Sequence, residues 1–194
     1  MLDTDKIYLI NLPHRTDRLR MAKLQLAKAE INDYTIFSAV DAKRLRIRGV
    51  VEENQGLIGC FLSHYFILQE AIRYGYKRIA IFEDDIMFAT NFKEQFNLSM
   101  LYIPDKWQML YLGYYERSGH SKLQVSEHIA IPKDTWGTHA YMLQGEGIKI
   151  MYDNLQEIKS HVDVQISQTI VQKMYTYCVS PAICFQSGMK SNIK

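Results

Sequence analysis

The sequence has little of several features that would assign a protein to a special class. Three cysteines, Cys60, Cys178 and Cys184, lie far apart among 194 residues. Their odd number and spacing fit neither a disulfide framework nor a zinc motif, so we predict reduced, buried thiols. Repeats, low-complexity tracts and linkers are also missing. At this length we expect one domain over residues 1–194, because two domains would be cramped.

Neither charge nor hydrophobicity is concentrated along the chain. The net charge of +2 lacks the one-sided basic excess of a nucleic-acid-binding domain, so we expect no nucleic-acid partner. No apolar run approaches the ~20 residues that span a bilayer. Residues 1–5 lack the basic and apolar regions of a signal peptide. We therefore expect a cytosolic protein without a transmembrane segment.

Apolar runs alternate with helical patterns along the first half of the chain. This alternation predicts a parallel sheet flanked by helices, with antiparallel or irregular elements later. The predicted strands cover residues 6–11, 34–38, 78–82, 107–112, 123–131, 138–143 and 175–179. The predicted helices cover roughly 13–31, 57–74, 92–100, 146–155 and 164–174, with Gly75 ending the second one.

Three consecutive carboxylates, Glu83, Asp84 and Asp85, follow the strand over residues 78–82. Acids at a strand end repel one another unless a cation neutralises them, and Mg²⁺ or Mn²⁺ prefers such oxygens. Strand alternation predicts that Glu83 and Asp85 face one way and Asp84 the other. The alternative is a solvated turn that carries a few charges.

Other polar residues are ambiguous when each is taken alone. Arg15 and Arg18 could bind a diphosphate at a helix start, or belong to a solvated helix start with Asp17 as a cap partner. Asp163 suits an ordinary N-cap. The basic residues between 43 and 48 suit a solvated loop or an anionic acceptor. The aromatic, glycine-containing stretch at 136–141 suits a sugar-binding cleft or a strand start.

Together these segments resemble glycosyltransferase family 25, the family of bacterial lipooligosaccharide galactosyltransferases and procollagen galactosyltransferases. The resemblance covers nearly the whole chain in the right order. It rests on residues 7–15 (IYLINLPHR) with 17–18 (DR), 37–41 (FSAVD), 59–64 (GCFLSH), 81–85 (IFEDD), 137–141 (GTHAY), 162–163 (VD), 181–186 (PAICFQ) and 191–193 (SNI).

The resemblance implies a glycosyltransferase-A-type fold, a nucleotide-sugar donor, usually a UDP-sugar, and Mn²⁺ or Mg²⁺. It implies an inverting transfer of a hexose, galactose or glucose, to a glycan or protein hydroxyl. Asp163 is then the candidate catalytic base, with Glu116 a weaker one, and Glu83 and Asp85 are the metal ligands. Trp136, Thr138 and His139 would contact the acceptor. The donor would be bound by Asn11, Arg15, Arg18, Asp41, Ser63, His64, Asp84 and Gln186.

Two other interpretations stay open. One is a non-catalytic donor- or glycan-binding relative with the same fold, and the family often has a glutamate near the position where this chain has Gln55. The other is a phosphoryl-transfer or receiver-like domain that binds Mg²⁺ through its acidic cluster. The order of motifs disfavours it, since receiver domains carry their acidic pair after the first strand.

Overall fold

The computed structural model describes residues 2–45, 55–117 and 122–188. Strands and helices alternate through the first half, as the sequence predicts. Gly75, with φ of 69°, follows the long second helix at the predicted position. The elements of this half are β1 Lys6–Asn11, α1 Thr16–Lys28, β2 Thr35–Ser38, α2 Ala42–Leu45, α3 Gln55–Tyr74, β3 Arg78–Glu83, β4 Ile86–Phe88 and α4 Phe92–Tyr102.

The second half departs from prediction in three places. A hairpin replaces the single strand expected over 123–131, and the last helix continues as a π-helical turn (Ile166–Ile170) and a 3-10 turn (Val171–Lys173). The strand expected to stop at Gly113 continues to Glu116. The elements here are β5 Met109–Glu116, β6 Leu123–Gln124, β7 Ile129–Ile131, β8 Thr135–Gln144, α5 Glu146–Asn154, α6 Val162–Gln165, β9 Thr176–Val179 and β10 Cys184–Gln186.

Within the described ranges, eight strands form one mixed sheet in the order β2-β1-β3-β8-β5-β9-β7-β6. β1 pairs in parallel with β2 and β3, whereas β8 lies antiparallel between β3 and β5. The predicted α/β fold, a mixed central sheet flanked by helices, is confirmed. The short strands β4 and β10 form a separate antiparallel pair that the sequence did not predict.

Each face of the sheet carries its own apolar core, because side chains alternate along a strand. Tyr8 and Ile81 belong to one core and their neighbours Leu9 and Phe82 to the other. The first core receives side chains from α3 and α5, and the second from α1 and α4. Fully buried strands of this kind explain the continuous apolar runs of β1 and β3.

The sheet brings the carboxyl ends of β1, β2 and β3 to one edge, since these strands are adjacent and parallel. The loops that follow them carry the polar residues singled out above, as expected for ligand sites in such sheets. Two predicted segments, 46–48 of the basic run and 191–193, lie outside the described residues. None of the helices in the described ranges combines the length and apolarity that a bilayer crossing requires.

Candidate active site

The acidic triplet lies on a tight turn at the end of β3. The strand ends at Glu83, and Asp84 and Asp85 form the turn that leads into β4. The alternation prediction is wrong for this reason, because the pleat stops before Asp84. Both aspartates instead accept hydrogen bonds from one guanidinium. Arg18 donates to Asp84 Oδ1 at 2.7 Å and to Asp85 Oδ2 at 2.9 Å.

Glu83 has different neighbours. Thr138 Oγ1 donates to Glu83 Oε1 at 2.7 Å, and His64 Nε2 lies 3.5 Å from the same oxygen. His64 is fully buried, and its other ring nitrogen, Nδ1, lies 2.9 Å from the Tyr141 hydroxyl. The helix α3 and the strand β8 therefore meet the triplet at Glu83, while α1 meets it at the aspartates.

The triplet carries more negative charge than its partners neutralise. Among the described residues, Arg18 is the only lysine or arginine in ion-pair contact with these three carboxylates. Burial and the neighbouring Glu83 raise the pKa of Asp85 to about 6, against the opposing effect of Arg18. Burial also raises the pKa of Asp84. Although burial opposes it, the contacts with His64 and Thr138 hold the pKa of Glu83 below its usual range.

A group that could hold a metal ion lies at Glu83. Ligand atoms of Cys60, His64 and Glu83 all lie within 4.8 Å of one another. Cys60 was predicted only as a reduced, buried thiol, whereas its side chain is half-buried in the structure. The available signal was its spacing of four residues from His64 on a helix, which puts both side chains on one face.

A first cavity of about 380 Å³ opens beside the triplet. This volume lies within the usual range of small-molecule sites, ~300–1,000 Å³. Eight predicted site residues contribute to the wall: Arg18, Asp41, Ser63, His64, Glu83, Asp84, Asp85 and Gln186. His14, Arg44 and Gln55 also line it and were not predicted.

The wall that carries Asp41 is held against α3 by close packing. A Cβ at Gly59 would lie 2.3 Å from the Val40 carbonyl oxygen, so only glycine allows this approach. Ser63 Oγ donates to the Gly59 carbonyl at 2.6 Å and accepts from the Val40 amide at 2.9 Å. Ser63 therefore fixes the loop before Asp41, and Asp41 itself pairs with Arg44 at 3.1 Å.

A second cavity of about 250 Å³ adjoins the first. Both cavities share Cys60, Glu83 and Gln186 in their walls. Asp163, near the start of α6, lines the second cavity but not the first, and so does Thr138. The Asp163 carboxylate accepts from two amides, Val164 at 2.8 Å and Gly137 at 3.2 Å. A fixed carboxylate thus faces the triplet across a shared wall.

Several predicted site residues lie outside both cavity walls. Asn11 Nδ2 donates to Asp84 at 2.7 Å and so supports the triplet from behind. Arg15 makes a double hydrogen bond to Asp17. The described part of the chain gives Glu116 an ion pair with Lys122 at 2.7 Å. The roles of Asn11 and Arg15 in binding the donor therefore stay predictions.

The acceptor candidates are divided. Thr138 faces the second cavity, whereas the walls of both cavities omit Trp136 and His139. Trp136 lies under the Arg117 guanidinium, 5.3 Å from it. His139 is buried, and a Cβ at Gly113 would lie 2.3 Å from its Nε2, which explains why β5 has a glycine there. Burial lowers the pKa of His139.

Comparisons with known proteins identify the family of this chain. The model of "Glycosyltransferase family 25 (LPS biosynthesis protein)" matches residues 4–166. A bovine "Probable inactive glycosyltransferase 25 family member 3" is 28% identical over 75% of this chain and 28% of its own length. The Xenopus laevis "Procollagen galactosyltransferase 1-A" is 28% identical over 75% of this chain and 27% of its own length. The chain thus spans less than a third of either relative.

A solved structure supports the same fold. The glycosyltransferase involved in glycosylation of the major capsid of PBCV-1 aligns with a TM-score of 0.56 at 10% identity, over 96% of this chain and 94% of that one. At this identity the likeness concerns the fold. With the family match over most of its length, the chain belongs to glycosyltransferase family 25.

Proposed function

We propose that the protein is a metal-dependent, inverting glycosyltransferase that moves galactose or glucose from a UDP-sugar to a hydroxyl of a glycan or protein. The observation that carries the proposal is the pair of adjoining cavities. One contains the acidic triplet and the other contains Asp163, and Glu83 and Gln186 line both. A donor and an acceptor hydroxyl can thus meet at one boundary.

The first cavity suits the donor. Asp41 lies on its wall and can accept hydrogen bonds from uridine or ribose. His64, Asp84 and the Ser63 loop complete the donor-side wall in this proposal. Arg18 supports the diphosphate end through the triplet that it holds together. Arg15 would have to exchange its bond to Asp17 for one to the donor.

The carboxylates fit a hard divalent cation. Glu83 and Asp85 are the proposed ligands, and Gln186 approaches Asp85 Oδ1 only at 3.5 Å, which leaves that oxygen available. The raised pKa of Asp85 reflects the same unmet need for positive charge. Mn²⁺ or Mg²⁺, when bound, supplies neutralisation of the charge that develops on the departing diphosphate.

Asp163 is the proposed general base. An inverting displacement needs a base on the acceptor side to take the proton of the attacking hydroxyl. Two amide donors hold the Asp163 carboxylate in the second cavity, and Thr138 lies on the same wall. Trp136 and His139 remain acceptor candidates at the adjoining strand. We also propose that residues 1–194 fold as one domain, on the basis of the sequence.

A second candidate function is a non-catalytic nucleotide-sugar or glycan binder. This alternative is supported by the bovine relative, which is described as a probable inactive member of the family. Such a protein would bind a UDP-sugar without turnover. The presence of both the triplet and Asp163 favours the catalytic proposal, since a binder needs no base on the acceptor side.

Release of UDP from UDP-galactose and UDP-glucose, with and without Mn²⁺, separates the two functions. The proposal expects Mn²⁺-dependent release by the native protein and its loss in Asp85→Ala, with the same far-ultraviolet circular dichroism. Donor binding without release over a panel of acceptors would favour the binder. Unchanged release by Asp85→Ala would contradict the metal assignment.

A further inference from the structure

The helix α3 and the end of β3 place a sulfur, a nitrogen and an oxygen around one point. Cys60 and His64 lie four residues apart and share a face of α3, and Glu83 lies opposite them. His64 Nε2 is buried and lies 3.5 Å from Glu83 Oε1, a contact that does not meet hydrogen-bond geometry. A buried ring nitrogen with so weak a partner is costly, which points to a ligand that these residues could bind.

We propose that Cys60, His64 and Glu83 form a binding site for a borderline-soft divalent cation of the Zn²⁺ class. Sulfur and imidazole ligands select such ions, whereas Mg²⁺ and Mn²⁺ prefer oxygen. A tetrahedral zinc ion separates its ligand atoms by about 3.3–3.7 Å, given its usual bond lengths. The ligand atoms now lie within 4.8 Å of one another, so binding would draw them closer by about 1–1.5 Å at most.

The charge balance favours the site. Binding releases the Cys60 proton to solvent, and the resulting thiolate and the Glu83 carboxylate together neutralise the two charges of the ion. His64 binds as a neutral imidazole through Nε2. Its Nδ1 lies 2.9 Å from the Tyr141 hydroxyl, an outer contact that fixes the ring as in other metal-bound histidines. No oxidant or reductant is required.

Three protein ligands leave the fourth position of a tetrahedral ion open. One of the three, Glu83, is also a ligand of the Mn²⁺ or Mg²⁺ site proposed above. Cys60 and Glu83 line both cavities, so water or a substrate group can reach the ion. Glu83 cannot serve Zn²⁺ here and Mn²⁺ beside Asp85 in the same geometry. Zn²⁺ therefore competes with Mn²⁺ and inhibits transfer; this consequence rests on the proposed function, whereas binding itself does not.

Cobalt absorption tests the site without any assay of transfer. Co²⁺ added to the protein should give a thiolate-to-cobalt charge-transfer band and intense four-coordinate visible bands at one ion per chain. One equivalent of Zn²⁺ should remove both. Cys60→Ala should abolish the charge-transfer band, and the matched variant Cys184→Ala, which removes a thiol outside the proposed site, should keep it.

Tyr141→Phe provides a second, nearly isosteric variant. Loss of its hydroxyl should weaken Zn²⁺ binding about 10–100-fold, as for other outer contacts of metal-bound histidines, while the charge-transfer band persists at saturation. Absence of a charge-transfer band in the native protein, or its persistence in Cys60→Ala, would overturn the proposal. Cobalt binding without thiolate absorption would also overturn it, because the ion would then sit on the carboxylates alone.

Discussion

The two adjoining cavities differ in how they handle negative charge. In the first, the guanidinium of Arg18, a residue of α1, forms ion pairs with both Asp84 and Asp85 and partly neutralises their buried charge. In the second, no lysine, arginine or histidine of the described ranges forms an ion pair with Asp163, whose carboxylate is held by backbone amides. Each Asp163 oxygen accepts one amide hydrogen, and its other lone pair stays available for a substrate proton. The first arrangement suits binding, and the second suits proton transfer.

We expect the largest effect from removing the carboxylate of the second cavity. Asp163→Asn removes the proposed base but keeps the side chain's size, so transfer should fall about 10²–10⁴-fold. Steady-state kinetics should show this loss in kcat, and calorimetry should show unchanged donor affinity. Glu116→Gln is the matched control and should change kcat little, because Glu116 lies outside both cavities. Transfer by Asp163→Asn within about tenfold of the native rate would remove Asp163 from this role.

The next effect concerns the first cavity. Arg18→Ala leaves two buried carboxylates without their guanidinium, which should lower the free energy of unfolding by about 3–5 kcal/mol. Arg15→Ala removes a guanidinium whose pair with the exposed Asp17 is screened by solvent, so this variant should lose much less stability than Arg18→Ala. Urea unfolding of both variants measures the difference. Equal destabilisation would show that Arg18 does not act as the counter-ion of the triplet.

A smaller effect follows from the raised pKa of Asp85. Burial and the neighbouring Glu83 raise the pKa of its carboxyl to about 6 in the fold, above the ordinary value of an aspartate, so the folded state prefers the protonated acid. The stability that this preference provides is complete below pH 4 and is lost as the pH rises to about 6. In the absence of metal, Asp85→Asn should therefore unfold with a free energy higher by about 1–3 kcal/mol at pH 7.

The pH dependence distinguishes this effect from a general change in packing. The advantage of Asp85→Asn over the native protein should shrink as the pH falls from about 6 to about 4, the interval between the folded and unfolded pKa values. Thermal unfolding at several pH values, without metal, measures it. If the stability difference between Asp85→Asn and the native protein were the same at every pH, or zero at pH 7, then ionisation of Asp85 would not be what destabilises the native fold.

The sequence predicts the first half of the fold well because its elements are long and strongly patterned. β1 matches its prediction residue for residue, and Gly75 marks the end of α3. The second half fails where tertiary contacts decide. β5 continues through Gly113 because its neighbours β8 and β10 pack there, and three-residue strands such as β4 and β10 carry too little pattern to detect.

The site could be predicted as a set of residues but not as a network. The family resemblance assembled most of the first cavity's wall. It could not reveal that Arg18 spans Asp84 and Asp85, because that depends on the turn after Glu83. Cys60 was missed as a neighbour of Glu83 for a similar reason, since only the packing of α3 against β3 and β8 brings the two together.

The proposed function requires that the first cavity bind a UDP-sugar together with a divalent cation held by the triplet. Isothermal titration of UDP-galactose and UDP-glucose, with and without Mn²⁺, measures whether the two bind together. We expect at least about tenfold tighter binding of one donor in the presence of Mn²⁺, and loss of that gain in Asp85→Ala. Donor affinity that is indifferent to Mn²⁺, or a gain that survives Asp85→Ala, would contradict the account.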